Sequence, residues 1–113
     1  MRLNQYMDHT LLKQDATKSQ LDRLCDEAAE HGFKTVSINS CWTRHCAERL
    51  AGTGVGITSC ISFPLGACST AAKAAEARQA VADGTTEIDM VLNVGRLVSG
   101  DDDYCTEDIR GVV

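Results

Sequence analysis

Short apolar runs alternate with amphipathic stretches four times along the chain. In the first amphipathic stretch Leu21, Leu24 and Ala28 fall at i, i+3 and i+7, which is the spacing of one helix face. The apolar runs between such stretches are too short for typical helices, so each of them predicts a strand. The predicted strands are 6–12, 34–39, 55–63 and 86–95. A helix is predicted after each strand.

Capping residues set the predicted helix boundaries. Thr17 and Gln20 form a capping-box pair, which satisfies free backbone N–H groups at the start of the first helix. Ser40 is expected to cap the second helix, because a serine side chain readily accepts from the first turn. The third helix is expected to open at Ser69 or Thr70. A fourth helix is expected after an acidic run near residue 101, where negative charge suits the helix dipole.

Strands of near-continuous apolar character, each followed by a helix, predict a parallel sheet buried on both faces. The chain of 113 residues suffices for one domain, predicted to span 1–113. Two designs fit four strand–helix units: a small doubly wound sheet, or half of a (β/α)8 barrel, whose full length is typically about 250 residues. No G-x-G-x-x-G or Walker motif follows a strand, which disfavours nucleotide binding.

Charge and composition exclude several kinds of partner. The net charge is −5, whereas a protein that binds nucleic acid needs a basic face for the phosphates. No run approaches the roughly 18 apolar residues of a membrane span. The N-terminal stretch MRLNQYMDHTLLKQD lacks the long apolar segment of a signal peptide. We therefore expect a cytoplasmic protein that binds neither nucleic acid nor membrane.

The six cysteines raise two further options. An even number permits disulfides, but disulfide frameworks belong to secreted chains with small cores. Cys41, His45 and Cys46 lie close together and could bind a metal, although no C-x-x-C pair accompanies them. Cys25, Cys46 and Cys105 also fit apolar helix positions, where cysteine packs as a small hydrophobe. We expect packed cysteines, with neither a disulfide framework nor a metal site.

One carboxylate interrupts the fourth apolar run. In TEIDMVLNVG, residues 86–95, Asp89 lies directly between Ile88 and Met90. A carboxylate inside an apolar strand is unfavourable unless something pairs with it or uses it. One interpretation is a structural pair with a local arginine or a backbone N–H group. The other is catalysis, because the chemistry of (β/α)8 barrels takes place at the carboxyl ends of the strands.

Four blocks of the sequence carry a family resemblance. They are YMDHTLLKQDAT (6–17), SFPLGACST (62–70), EARQAVADGTTEIDMVLNVGRLVSGD (76–101) and EDIRGVV (107–113). In this order they resemble successive blocks of deoxyribose-phosphate aldolase, and they extend over nearly the whole chain. That family is a (β/α)8 TIM barrel of a little over 200 residues. The resemblance therefore implies an α/β fold, the (βα)4 N-terminal half of the barrel.

The resemblance also implies an activity and a set of site residues. The family is a class I aldolase, which cleaves 2-deoxy-D-ribose 5-phosphate to acetaldehyde and D-glyceraldehyde 3-phosphate through a lysine Schiff base, with no metal or other cofactor. The family's proton-relay aspartate falls on Asp89. Asp8 matches an inward-facing aspartate in a supporting position, for which a structural hydrogen-bond anchor is an equally good interpretation. Thr10, Leu12 and Ser37 are expected to line the substrate pocket.

The Schiff-base lysine of the family has no counterpart in these residues. It lies on a later strand in a K-T-S-T-G-like block, and a second lysine lies in a K-x-S-G-G-like block, neither of which this sequence contains. Lys18 and Lys73 belong to predicted helices, Lys73 on the outer ring of the barrel, and Lys34 begins a strand at the wrong end. Lys13 lies on the correct side but matches a lysine that is not the nucleophile. We expect no aldolase activity from these residues alone, and binding of the sugar phosphate only once the other half is supplied.

Two further points remain open in the sequence. Family members usually read N-P after the second strand, whereas this chain reads Asn39-Ser40, so the loop at the mouth of the barrel is expected to differ. The alternative to an aldolase half is a non-catalytic (βα)4 module that self-associates. Its first and last strands would be open edges, and two copies could pair through them as a homodimer.

Overall fold

Four parallel strands alternate with helices in a computed structural model that describes all residues, Met1–Val113. The strands are β1 (Asp8–Leu11), β2 (Thr35–Asn39), β3 (Gly56–Ile61) and β4 (Glu87–Met90). The α-helices are α1 (Lys18–His31), α2 (Thr43–Arg49), α3 (Thr70–Asp83), α4 (Val94–Val98) and α5 (Asp102–Val112). Two short 3₁₀ helices cover Leu3–Tyr6 and Ser40–Trp42. None of the helices combines the length and apolarity needed to cross a membrane.

The order of the strands distinguishes between the two designs that the sequence allows. The order is β1-β2-β3-β4, so every strand lies beside its neighbour in the sequence. A doubly wound sheet reverses its order at a switch point and places helices on both faces. Here the apolar side chains of α1, α2, α3 and α5 all pack against the same face of the sheet. The prediction of a (βα)4 half-barrel is confirmed.

The apolar core lies between the helices and this helix face of the sheet. A larger cluster joins α1 and α2 to β2 and β3, and a smaller one joins α3 to β3, with β4 and α5 packed against it. The fully buried members of the larger cluster include Leu21, Cys25, Val36 and Ile38. All six cysteines are free, and the buried Cys25 and Cys46 both belong to the larger cluster. The proximity of the two thiols lowers the pKa of Cys25 and raises the pKa of Cys46.

The helix starts agree with the sequence in α1 and differ in α2. The capping box between Thr17 and Gln20 is present, which confirms the predicted start of α1. Ser40 does not cap α2, because a 3₁₀ turn occupies Ser40–Trp42 and α2 begins only at Thr43, with no side-chain cap. The Ser40 hydroxyl instead donates to Glu76 Oε1 at 2.8 Å. The mouth of the barrel at Asn39-Ser40 is therefore connected to α3.

The fourth strand is shorter than predicted. The apolar run 86–95 predicts a strand of that length, but β4 ends at Met90 and Val94 already belongs to α4. Asn93 terminates the extended segment because its side chain accepts from the Arg96 N–H and caps the helix. The signal for this cap was present in the sequence, but the continuing apolar pattern masked it.

Burial on both faces holds only for the two middle strands. All of β2 except its last residue is buried, as is all of β3 except its first. The prediction is wrong for β1 and β4, where Asp8, Thr10 and Asp89 are exposed. These are the edge strands, and each has a neighbour on one side only.

Lys73 forms a buried ion pair within the helix layer. It lies on α3, in the outer ring as predicted, and its side chain is fully buried. Its Nζ donates to Asp108 Oδ2 at 2.5 Å and to the Val91 carbonyl at 3.0 Å, and Thr70 Oγ1 donates to Asp108 Oδ1 at 2.7 Å. Asp108 is also fully buried. This network joins α3, α5 and the segment that follows β4.

Candidate active site

Polar side chains line the face of the sheet opposite the helices, here termed the open face. Because side chains alternate along a strand, every second residue of each strand points to this face. Hydrogen bonds between neighbouring strands confirm the shared orientation: Thr35 contacts Thr58, and Ser37 contacts Cys60. The open face comprises Asp8, Thr10, Thr35, Ser37, Asn39, Gly56, Thr58, Cys60, Glu87 and Asp89.

A hydroxyl chain anchors Asp8 at the amino end of this face. Thr35 Oγ1 donates to Asp8 Oδ1 at 2.6 Å, so its own oxygen is free to accept from Thr58 Oγ1 at 2.9 Å. Thr58 is in register with Glu87, two residues before Asp89. Asp8 is in register with Thr35 and Asp89 with Cys60, so Asp89 lies nearer the carboxyl ends of the strands than Asp8.

Asp89 is exposed on the open face, and its side chain makes no hydrogen bond or ion pair. Its register partner on β3 is Cys60, and it is the third of the four residues of β4. Ile88 and Met90 point to the other face and pack against the cluster formed with α3. The apolar run tolerates a carboxylate because the alternation places it in solvent. The structural pair with an arginine, considered from the sequence, is not formed.

Cys60 also lies on this face, as the register partner of Asp89, although no motif in the sequence marks it. Burial raises the pKa of its thiol, a hydrogen bond from Ser37 opposes the shift, and the negative charge of Asp89 adds to it. The group is therefore a neutral thiol at pH 7 and a poor nucleophile. Its position could have been found from the alternation, since Cys60 has the same parity on β3 that Asp89 has on β4.

The other predicted pocket residues lie in different environments. Thr10 is exposed on the open face, and its hydroxyl donates to the Asp8 carbonyl at 3.1 Å. Ser37 is buried beside Cys60, at 3.6 Å from its sulfur. Leu12 follows β1, and its carbonyl accepts from Asn39 Nδ2 at 3.3 Å, which joins the carboxyl ends of β1 and β2.

No lysine of the chain forms a hydrogen bond or an ion pair with the side chain of Asp8 or Asp89. Lys34 lies at the amino end of β2 with its Nζ 3.0 Å from Glu87 Oε1, and this carboxylate raises the lysine pKa. Lys73 is buried in the helix layer. Lys13 and Lys18 are exposed and make no side-chain hydrogen bond or ion pair. The open face thus presents carboxylates and hydroxyls without a reactive amine.

A loop at the carboxyl end of β3 borders the open face. Ser62 has φ of +56°, the only positive φ outside glycine in the chain. Its N–H donates to Glu76 Oε2 at 2.9 Å, so that Glu76 receives hydrogen bonds from both Ser62 and Ser40. A cavity between this loop and α3 is lined by Phe63, Pro64, Leu65 and other residues of the loop, and by Glu76.

Curated proteins similar to the chain share one description. The chain is 57% identical over 112 residues to "Deoxyribose-phosphate aldolase 1" of Mesoplasma florum, covering 99% of this chain and 51% of that protein. It is 53% identical over 112 residues to "Deoxyribose-phosphate aldolase" of Brevibacillus brevis, again covering 51% of the relative. The chain spans about half the length of the curated relatives that it matches. No protein-family model matches it.

Solved structures of similar proteins agree in fold. A candidate deoxyribose-phosphate aldolase from Coccidioides immitis superposes with a TM-score of 0.96 at 40% identity, over 98% of this chain and 44% of that one. A tetrameric deoxyribose phosphate aldolase from Aeropyrum pernix superposes with a TM-score of 0.78 at 29% identity, over 94% of this chain and 48% of that one. The four strand–helix units thus correspond to about half of a larger chain in each case.

Proposed function

Because the chain belongs to the deoxyribose-phosphate aldolase family, we propose that it forms the half of a class I aldolase that carries the proton-relay carboxylate, Asp89. The observation that supports this role is the position of Asp89: exposed, unpaired and on the open face near the carboxyl end of β4. Active sites of (β/α)8 barrels are built at that end of the strands. The proposal includes the cytoplasmic location expected from the sequence and a single partial domain over 1–113.

In the proposed reaction the missing half supplies the lysine. Its amine attacks the carbonyl of 2-deoxy-D-ribose 5-phosphate and forms a Schiff base, which withdraws electrons while the carbon–carbon bond breaks. Asp89, through a bound water, accepts and returns protons during cleavage to acetaldehyde and D-glyceraldehyde 3-phosphate. Asp8 has a supporting role, and a hydrogen bond from Thr35 holds its carboxylate in place. Thr10, Leu12 and Ser37 line the substrate pocket, and no metal or cofactor takes part.

Complementation between halves tests this proposal. The chain would be co-expressed with the C-terminal half of the Mesoplasma florum relative, and cleavage of 2-deoxy-D-ribose 5-phosphate followed by acetaldehyde release. We expect no turnover from the chain alone and turnover from the reconstituted pair. Borohydride reduction in the presence of substrate should attach the sugar to a lysine of the supplied half, as located by mass spectrometry. An adduct on Lys13 or another lysine of this chain would contradict the proposal, as would a folded but inactive pair.

Self-association is the second candidate function, and a specific surface favours it. The edges of β1 and β4 have no neighbouring strand. Beside β4, on the helix face, an apolar groove is lined by Val81, Ile88, Met90, Ile109, Val112 and Val113. Val81 is 62% exposed, and Ile109 is 46% exposed. A second copy of the chain, pairing isologously, would cover both the groove and an open edge.

Sedimentation equilibrium of the chain alone tests the second candidate. We expect a dimer that dissociates on dilution, and we expect Val81→Lys to weaken it by placing a charge in the groove. Val98→Lys is the matched control, because Val98 is 81% exposed on α4 and does not line the groove. A monomer at all concentrations, or equal effects of the two substitutions, would exclude dimerisation through this surface.

A further inference from the structure

We propose that Glu76 is a positioning residue that fixes the 62–69 loop at the mouth of the half-barrel. The inference deepens the proposed function, on which it rests, because this loop borders the open face that carries Asp89. Glu76 lies on α3 and not on a strand. The family resemblance implies no catalytic role for it. Its side chain is directed toward the carboxyl ends of β2 and β3, where it meets Ser40 and Ser62.

The carboxylate of Glu76 joins two strand ends with its two oxygens. Oε1 accepts from the Ser40 hydroxyl at 2.8 Å, and Oε2 accepts from the Ser62 N–H at 2.9 Å. Ser40 directly follows β2, and Ser62 directly follows β3. Hydrogen bonds to an ionised acceptor are stronger than neutral ones, and here the acceptor is half-buried beside the loop cavity. One side chain thus fixes the relative position of two adjacent strand ends.

The backbone of Ser62 explains why such an anchor is needed. A residue with a side chain is disfavoured at φ of +56°, and such conformations persist where the surroundings impose them. The acceptor provided by Glu76 satisfies the Ser62 N–H in this conformation. The Ser62 carbonyl then accepts from the Gly66 N–H at 2.7 Å, which closes the loop on itself. The conformation of Ser62 therefore determines the path of the residues that follow it.

Gly66 brings the loop into contact with the segment that follows β4. A Cβ added at Gly66 would lie 2.3 Å from the Leu92 carbonyl oxygen and 2.8 Å from a methyl group of Val91. The loop backbone is therefore in close contact with the segment that leaves β4, three residues after Asp89. Through Ser40, Ser62 and Gly66, Glu76 acts on the carboxyl ends of β2, β3 and β4.

Hydrogen exchange at single amides of this chain tests the proposal directly. Glu76→Gln keeps one side-chain oxygen but loses the second acceptor and the charge. We expect the Gly66 amide to exchange roughly tenfold faster, which corresponds to losing one charge-assisted hydrogen bond. The core amide of Ile38 should keep its protection. Glu48→Gln is the matched control, since it removes the same charge from an exposed side chain that makes no hydrogen bond or ion pair.

A second substitution distinguishes positioning from general stabilisation. Ser62→Gly lets residue 62 adopt a positive φ without assistance, so Ser62→Gly in the Glu76→Gln background should return the Gly66 exchange rate to within about threefold of wild type. Ser62→Gly also removes the contact between Ser62 Oγ and Cys68 Sγ at 3.0 Å. Cys68→Ala is the control, because it removes this contact alone. Unchanged Gly66 exchange in Glu76→Gln would overturn the proposal. An equal loss of protection at Ile38, or no rescue by glycine, would do the same.

Steady-state kinetics of the reconstituted pair extend the test to function. Glu76→Gln should raise KM for 2-deoxy-D-ribose 5-phosphate by a larger factor than it lowers kcat, and Ser62→Gly should reverse part of that rise. A purely structural residue would reduce the amount of active enzyme and leave KM unchanged, and that result would overturn the functional part of the inference. If the wild-type pair is inactive, the proposed function fails. The exchange experiment on the chain alone still decides whether Glu76 holds the loop.

Discussion

The two faces of the sheet differ in how far the chain completes them. On the helix face, Leu21, Cys25 and Ile38 are fully buried, and even the charged pair Lys73–Asp108 has all its polar atoms satisfied. On the open face, Asp89 has no partner and Asp8 is held by a single hydroxyl. The comparison shows that folding and proposed chemistry are carried by opposite faces of one sheet. Substitutions of the buried residues on the helix face should therefore affect stability, and substitutions of the exposed side chains on the open face should affect activity.

The largest expected effect comes from breaking the buried ion pair of the helix face. Lys73→Met removes the partner of a fully buried carboxylate, which should lower the free energy of unfolding by about 3–5 kcal/mol. Urea denaturation followed by circular dichroism measures the change. Lys13→Met is the control, because Lys13 is exposed and makes no side-chain contact of this kind, and it should change stability little.

The double substitution Lys73→Met/Asp108→Leu separates charge pairing from packing. Replacing both partners with apolar residues removes the uncompensated charge, so most of the lost stability should return. If Lys73→Met alone leaves the chain unfolded, the double variant should still fold. A double variant that is no more stable than the single one would show that the hydrogen bond to the Val91 carbonyl, rather than the charge pair, dominates.

A matched pair of truncations compares the two faces directly. Leu21→Ala removes a fully buried side chain from the larger core cluster and should cost about 2–5 kcal/mol. Thr10→Ala removes an exposed open-face hydroxyl and should change stability by no more than about 0.5 kcal/mol. Thermal unfolding of both variants in the same buffer provides the comparison. Similar losses in the two variants would contradict the assignment of stability to the helix face.

The sequence predicted the elements of the helix face well, because their signals are local. The spacing of Leu21, Leu24 and Ala28 lies within one helix, and the capping box needs only Thr17 and Gln20. Four strand–helix units were predicted and found. Local patterns did not reveal the strand order, and the doubly wound alternative was excluded only by the family resemblance and then by the structure.

The long-range polar contacts could not be predicted from the sequence. Lys73 and Asp108 are 35 positions apart, and each alone resembles an exposed helix residue. Ser40 reaches Glu76 across 36 positions, so its apparent role as a cap was wrong. The inward direction of Asp89 follows from alternation along β4, whereas its assigned role in proton relay came from resemblance and stays a prediction.

The acid dependence of stability should reside in surface pairs on the helix side. A hydrogen bond from Arg44, supported by Gln79, lowers the pKa of Asp83. A carboxyl with a lowered folded-state pKa stabilises the fold above its unfolded pKa of about 3.9, and that contribution is lost as the pH falls through the folded-state value. Asp83→Asn should therefore flatten part of the decline in stability below about pH 4.

Urea unfolding at several pH values between about 2.5 and 7 measures this effect, because that range extends to both sides of the carboxyl pKa. Asp15→Asn is the control, since the Asp15 side chain is exposed and makes no hydrogen bond or ion pair. The difference between the two variants should be modest, because Arg44 is largely exposed to solvent. Identical pH profiles of stability for wild type and Asp83→Asn would show that the Arg44–Asp83 pair does not contribute to the acid dependence of stability.

The smallest expected effect on stability belongs to the residue with the largest proposed role. Asp89→Asn should leave the free energy of unfolding of the chain unchanged within about 0.5 kcal/mol, because the carboxylate is exposed and has no partner to lose. In the reconstituted pair the same substitution should lower kcat by about 10²–10⁴-fold, the usual contribution of a general acid or base. Asp15→Asn should lower neither quantity. A destabilised Asp89→Asn chain would assign a structural role to this carboxylate, and full activity in the reconstituted pair would exclude it from proton transfer. Either result would contradict the assignment of stability to the helix face and of activity to the open face. That assignment requires Asp89 to affect only the activity of the completed barrel.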